Sequence, residues 1–170
     1  ILESTENIVR SILKSEGKKV ELRYLDLYGR TKANQSGLEK FLAKGKRGIK
    51  KVTGLKYSEA EEYVKKVCRQ YEKTVDANTK AIIFVGGGLI KYEHQIISQP
   101  ICAVLERADR NGIPVMFSAT GVEGYDGENE ECQKLKKALN LNCVKYITTR
   151  DDYQTLSKQY IENSKIKSAK

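Results

Sequence analysis

A fully apolar run of five residues, 81–85, leads directly into three consecutive glycines at 86–88. A short apolar run bounded by glycine is typical of a strand that is covered on both faces. Two further predicted strands, at 114–118 and 144–148, are each followed by a loop and then a helix. This repeated order of strand, loop and helix predicts an α/β domain with a mostly parallel sheet.

Helical periodicity and end signals place the other elements. Ser58 and Glu61 form a capping box, and Ser98 before Pro100 suggests the start of a later helix. The predicted helices are residues 1–15, 38–43, 58–75, 98–110, 130–139 and 152–163. Alternating residues predict one more strand at 19–27, and residues 165–170 are expected to form a frayed tail. We therefore assign residues 1–164 to one α/β domain.

Composition narrows the class of protein. A chain of 170 residues with 39% hydrophobic residues can bury one core, and its net charge of +9 attracts anionic partners without identifying them. No apolar run long enough to span a membrane and no secretory signal pattern is visible, so we expect a soluble, cytoplasmic protein. The four cysteines form no CxxC pair and His94 is the single histidine. These numbers argue against a zinc site and favour reduced thiols.

In a parallel α/β sheet, ligands bind beyond the carboxyl ends of the strands. The loops after residues 85, 118 and 148 are therefore expected to share one edge. Consecutive glycine amides at 86–88 can cradle an anion, and three glycines exceed what a tight turn needs. We favour a ligand-facing loop over a simple turn.

Four of the ionisable side chains in these loops are candidates for binding or catalysis. His94 is a candidate general acid or base, although a lone histidine in a polar loop is more often only solvated. Glu123 is the single carboxylate in the second loop, residues 118–124. Arg150 offers a fork of donors suited to phosphate or carboxylate, and Asp151 either holds that fork or caps the next helix.

A basic segment at 44–51 carries five cations in eight residues. Such a segment can grip nucleic acid, but no aromatic residue lies within it to stack on bases. A solvated surface loop is therefore the favoured interpretation, and a nucleic-acid partner is not expected.

Three ordered segments resemble the polysaccharide pyruvyl transferase family. They are AIIFVGGGLI at 81–90, GIPVMFSATGVEG at 112–124 and YITTRDDY at 146–153. The resemblance implies transfer of the pyruvyl group of phosphoenolpyruvate to a sugar of a surface polysaccharide or its lipid-linked precursor. It also implies two Rossmann-like domains in the glycosyltransferase-B arrangement, of which this chain is the first, a three-layer sandwich.

The resemblance implies that seven residues bind substrate, because they match the family's motifs by position. They are Gly86, Gly87, Gly88, Thr120, Gly121, Arg150 and Asp151. It implies phosphoenolpyruvate as donor substrate and no metal or cofactor. Gln154 stands where the family often has a serine. The family's first strand and its C-terminal domain are not in this sequence, so we expect a segment before residue 1 and an inactive isolated chain. His94 and Glu123 are weak candidates for the catalytic acid or base.

Two other functions stay open at this point. The same architecture serves nucleotide-sugar glycosyltransferases, because fold does not determine function. The net positive charge and the basic segment at 44–51 leave a nucleic-acid-binding or interaction module as the third alternative.

Overall fold

The computed structural model describes residues 2–27 and 58–170. Helices and strands follow one another along this part of the chain. The first half of the elements is α1 (Leu2–Ser15), α2 (Glu59–Thr74), β1 (Ile82–Val85), β2 (Ile90–Lys91) and α3 (Gln95–Arg110). The second half is β3 (Val115–Thr120), β4 (Val122–Glu123), α4 (Glu130–Leu139), β5 (Val144–Thr149), α5 (Tyr153–Thr155), a π-helical turn (Leu156–Tyr160) and β6 (Lys167–Ala169).

The main sheet has four strands in the order β1-β3-β5-β6, and every neighbouring pair is parallel. The prediction of an α/β domain with a parallel sheet is confirmed. Because parallel crossovers are right-handed and the strand order advances in one direction, α3 and α4 lie on the same face of the sheet. A second, two-stranded parallel sheet joins β2 to β4.

The core lies between that helical layer and the sheet. Phe84 and Phe117 stack with their ring centroids 4.6 Å apart, and Leu105 and Leu135 from the helices are fully buried beside them. Side chains alternate across a strand, so Met116, next to Phe117, faces away from this layer and is 36% exposed.

Helix α1 contacts the sheet face opposite the main core. The Thr5 hydroxyl lies 3.3 Å from that of Ser118, which points away from the helical layer. No residue of α1 is buried, and Leu2, Ile8 and Ile12 are all more than half exposed. This face of the sheet is therefore only thinly covered by the described residues.

Several predicted helices are confirmed. Helix α4 covers the predicted residues 130–139, and the Asn129 side chain accepts hydrogen bonds from the Glu131 and Cys132 amides at its start. Both bonds of the Ser58 capping box are present at α2. Helix α1 ends before Gly17, as predicted.

The start predicted for α3 is wrong. The helix begins at Gln95 rather than at the Ser98 cap, and Pro100 lies inside it as the sixth residue. A proline there cannot donate to the Ile96 carbonyl, and its ring crowds that carbonyl. Burial of Ser98, Pro100 and Ile101 makes the extra turn part of the packed face, which compensates for the lost bond.

The strand predicted at 19–27 is also wrong, since residues 18–26 are irregular and pair with no strand in the described chain. Side chains tie this segment to the end of α2 instead. The Arg23 guanidinium donates to the Thr74 carbonyl at 2.7 Å and to Asp76 at 2.9 Å. The Asp26 amide donates to the Gln70 side chain.

The end of the chain differs from the prediction in two ways. The last helix stops at Tyr160, whose buried hydroxyl donates to the Gly124 carbonyl at 2.9 Å, and not near residue 163. Residues 165–170, expected to fray, include β6, which pairs with β5 while Ile166 is buried against the core. The apolar anchor at Ile166 stabilises this edge strand.

Two predictions, the helix at 38–43 and the basic segment at 44–51, lie outside the described residues. Within the described ranges, no helix combines the length and the apolar character needed to cross a bilayer.

Candidate functional site

The loops that follow β1, β3 and β5 meet at the carboxyl edge of the sheet. We call residues 86–88, 119–121 and 149–151 together the exit edge. The Gly121 amide donates to the Gly87 carbonyl at 2.6 Å, and the Arg150 amide donates to the Thr120 carbonyl at 3.1 Å. The prediction that these three loops share one edge is confirmed.

Residues 82–91 and 115–123 run side by side, and their backbone hydrogen bonding is interrupted at the exit edge. Strands β1 and β3 pair as far as Val85 opposite Ser118. Pairing resumes in β2 and β4, with Ile90 opposite Val122. The four residues 86–89 thus lie opposite the three residues 119–121, so their backbone groups cannot all pair with one another.

The glycines supply the unpaired amides of this interruption. Gly86 and Gly87 adopt φ values of +64° and +69°, a region that side chains disfavour. The Gly86 amide donates to the Ser118 carbonyl at 2.9 Å. Within the described chain, the amides of Gly87 and Gly88 donate to no protein acceptor. These two amides are available to an anionic ligand.

Strand β3 carries a bulge where it enters the exit edge. Its pairing with β5 shifts between Phe117 and Thr120, and Ala119 has a φ of +50°. The Thr148 hydroxyl closes the gap by accepting from the Ala119 amide at 2.9 Å and donating to the Phe117 carbonyl at 3.3 Å. Bulges and left-handed non-glycine residues concentrate at functional sites, where surrounding contacts maintain the strain.

Asp151 fastens the loops together. Its Oδ1 atom accepts from the Val122 amide at 2.9 Å, the Asp152 amide at 2.7 Å and lies 3.0 Å from the Thr149 hydroxyl. Burial raises the pKa of this carboxyl, but the hydrogen bonds from Val122, Asp152 and Thr149 outweigh that effect, so its pKa lies below the ordinary value. Asp151 therefore stays ionised, and its carboxylate mainly accepts hydrogen bonds from backbone amides of the same chain.

Of the two predicted roles for Asp151, helix capping belongs to its neighbour. Asp152 accepts from the Thr155 amide at 2.9 Å and from the Thr155 hydroxyl at 2.6 Å. The other oxygen of Asp151 lies 3.6 Å from Arg150 Nε, at ion-pair distance. The Arg150 side chain is 50% exposed, so its guanidinium is accessible to an anion.

Two predicted binding residues are framework residues of the exit edge. Thr120 is fully buried, and its hydroxyl lies 3.4 Å from the Gly121 carbonyl. A Cβ atom on Gly121 would lie 3.1 Å from Asp151 Oδ2, from the Gly87 carbonyl oxygen and from Gly88 Cα. Gly121 is thus the close-packed centre that lets the loops meet, and the Thr120 side chain reaches protein rather than solvent.

The two candidate acid–base residues lie in different surroundings. Glu123 forms an ion pair with Lys91, its register partner between β4 and β2. His94 is the residue before α3 and borders a shallow surface recess beside Ser58 and Glu59 at the start of α2. No described contact joins His94 to the exit edge, so the structure brings Glu123 to the site and leaves His94 outside it.

Sequence reasoning missed three residues of this site. Lys91 is carried back to the exit edge by β2, Thr148 closes the bulge, and Thr149 links the Asp151 carboxylate to the Thr120 carbonyl. A pair of two-residue strands leaves no periodic signal in a sequence. The two threonines are ordinary strand residues until the bulge of β3 is known.

No protein-family model, no curated protein and no solved structure matches this chain. Its function is therefore argued from the exit edge and from the motifs that the loops carry.

Proposed function

We propose that this chain is a Rossmann-like domain of an enzyme similar to polysaccharide pyruvyl transferases, and that its exit edge binds phosphoenolpyruvate. One observation carries the proposal. The amides of Gly87 and Gly88, which meet no acceptor within residues 2–27 and 58–170, lie at the same sheet edge as the half-exposed side chain of Arg150. Backbone amides and an arginine fork are two standard ways of binding phosphate or carboxylate.

The chemistry of pyruvyl transfer matches these groups. Two sugar hydroxyls add to the central carbon of the enolpyruvyl group and lose their protons. One proton equivalent reaches the methylene carbon, and the other leaves with the phosphate, which takes the electrons of the broken C–O bond. Negative charge builds on the departing phosphate, and pre-positioned donors stabilise such charge. The proposal assigns anion binding to Gly87, Gly88 and Arg150, and it assigns no proton transfer to the described residues.

The resemblance adds the wider arrangement to the proposal. A second Rossmann-like domain, in the glycosyltransferase-B manner, would face this edge across a cleft and contribute the remaining catalytic groups. The sugar acceptor would enter the same cleft. The half-exposed Arg150 side chain and the amides of Gly87 and Gly88, which meet no acceptor among the described residues, support a ligand that approaches beyond the strand ends.

Titration calorimetry of the chain with phosphoenolpyruvate tests the proposal. Arg150→Gln should weaken binding about tenfold, because it removes a charge-assisted hydrogen bond. Arg110→Gln is the matched control. Arg110 is exposed and ends α3, which leads into the start of β3 at the opposite edge of the sheet. It should leave the affinity unchanged.

Competing ligands decide between the alternatives. Absence of binding by phosphoenolpyruvate together with binding of a nucleotide sugar would contradict the proposal and favour a glycosyltransferase-like domain. Binding of a DNA or RNA oligonucleotide that weakens steeply with salt would favour a nucleic-acid module.

A further inference from the structure

Lys91 is held at the exit edge by backbone pairing. It occupies the second position of β2, directly after the interruption in the ladder, and is the register partner of Glu123 in β4. The Ile90 amide donates to the Gly121 carbonyl at 3.1 Å, which ties the start of β2 to the centre of the exit edge. The position of Lys91 relative to the glycine loop is therefore set by strand geometry.

Glu123 lies between Lys91 and the glycine loop. Its Oε2 atom forms the ion pair with Lys91 Nζ, and its Oε1 atom lies 2.7 Å from the place where a Cβ of Gly88 would be. The Lys91 side chain is only 20% exposed, whereas that of Glu123 is 51% exposed. A carboxylate thus lies between a mostly buried cation and the loop in which the Gly87 and Gly88 amides meet no acceptor among the described residues, which is the position expected for an anionic ligand group.

We propose that Lys91 is a second cation of the ligand site and that Glu123 is an internal carboxylate which the ligand displaces. The inference rests on the proposed function, because it deepens the anion-binding role of the exit edge. Displacement is feasible since the Glu123 side chain is 51% exposed, so its carboxylate can turn into solvent when a ligand enters. The mostly buried lysine stays in place to meet the incoming anion.

This arrangement selects for a ligand with two anionic groups. Neighbouring groups cross the exit edge from one cation to the other: Arg150 pairs with Asp151, the Cβ position of Gly121 lies 3.1 Å from both Asp151 Oδ2 and Gly88 Cα, and Gly88 adjoins the Glu123–Lys91 pair. A cation therefore stands at each end, with the glycine loop between them. Phosphoenolpyruvate carries a phosphate and a carboxylate, so each group has one cation to bind, whereas inorganic phosphate has only one such group.

Calorimetric titration of four variants tests the inference. Lys91→Met should weaken phosphoenolpyruvate binding about tenfold, while Glu123→Gln, which removes the internal competitor, should tighten it about threefold. The matched controls are Lys134→Met and Glu131→Gln, which break a comparable ion pair on α4. Both controls should bind like the unaltered chain. Inorganic phosphate should show a smaller loss with Lys91→Met than phosphoenolpyruvate does.

The outcomes separate this inference from the proposed function. If the unaltered chain binds phosphoenolpyruvate and neither Lys91→Met nor Glu123→Gln changes the affinity, the role of Lys91 is refuted and the proposed function stands. If only Glu123→Gln binds, the role of the internal carboxylate is supported. If neither the unaltered chain nor any variant binds phosphoenolpyruvate, both the role of Lys91 and the proposed function are refuted.

Discussion

Replacing Asp151 by alanine should loosen the exit edge and lower the stability of the domain. The carboxylate is the shared acceptor for the amides of Val122 and Asp152 and contacts the Thr149 hydroxyl. Val122 is 4% exposed, so its amide would be left buried without a partner. Asp152 is exposed, so its amide can turn to water.

The magnitude follows from these surroundings. A buried amide without an acceptor costs about 1–3 kcal/mol, and loss of the exposed bond adds less than about 1 kcal/mol. Thr149 keeps its bond to the Thr120 carbonyl and therefore adds little. We expect Asp151→Ala to lower the free energy of unfolding by about 2–3 kcal/mol. Asp151→Asn, which retains an acceptor oxygen, should lower it by about 1 kcal/mol.

Urea unfolding followed by circular dichroism measures both changes. Because the folded pKa of Asp151 is lowered, its ionised form contributes stability above the unfolded value near 3.9. That contribution is lost as the pH falls through the folded pKa. The difference between Asp151→Asn and the unaltered chain should therefore be constant from pH 7 to about pH 5 and shrink below about pH 4. A change under 0.5 kcal/mol for Asp151→Ala, roughly the limit for a neutral surface change, would refute the fastening role.

Three further substitutions or reactions test the local geometry. Ala119→Gly should raise the free energy of unfolding by about 0.5–1 kcal/mol, because it relieves the left-handed backbone at φ +50°; a decrease in urea midpoint would contradict the strain. Gly121→Ala should lower it by about 2 kcal/mol, since the new Cβ meets three atoms at 3.1 Å, whereas Gly127→Ala, with neighbours no closer than 3.7 Å, should change it little. Burial raises the pKa of Cys143 to about 12, so at pH 8 this thiol should react with a disulfide reagent only as fast as the chain unfolds; rapid labelling of Cys143 in the folded protein would disprove its burial.

The sequence was sufficient to predict three of the four strands of the main sheet, β1, β3 and β5, and their parallel pairing. The apolar run before Gly86 and the capping box of Ser58 and Glu61 are local preferences that agree with the final packing. Where strands and helices alternate in this way, parallel pairing and a shared carboxyl edge follow from topology alone.

The sequence was insufficient where long-range contacts determine the local secondary structure. Residues 19–27 have a strand-like alternation, but Arg23 binds the end of α2 and no strand is available to pair with in the described chain. Pro100 suggests a helix start, yet burial of the preceding turn extends the helix back to Gln95. In both cases tertiary packing overrides a local signal.

The candidate site shows the same division. The glycines and Arg150 were identified as anion binders from residue type and position, and that role stays a prediction. The fastening role of Asp151 and the pairing of Glu123 with Lys91 depend on the interrupted ladder. No spacing in the sequence encodes that interruption, because it arises from two loops of unequal length meeting in space.

The central claim is that the exit edge binds an anionic ligand. The most direct measurement is a nuclear magnetic resonance titration of the ¹⁵N-labelled chain with phosphoenolpyruvate, in which each backbone amide reports separately. We predict saturable shifts of the Gly87 and Gly88 amides and of the Arg150 side-chain Nε–H signal, with Gly112 at the opposite edge unaffected. Shifts confined to other surfaces, or none at saturating ligand, would contradict it.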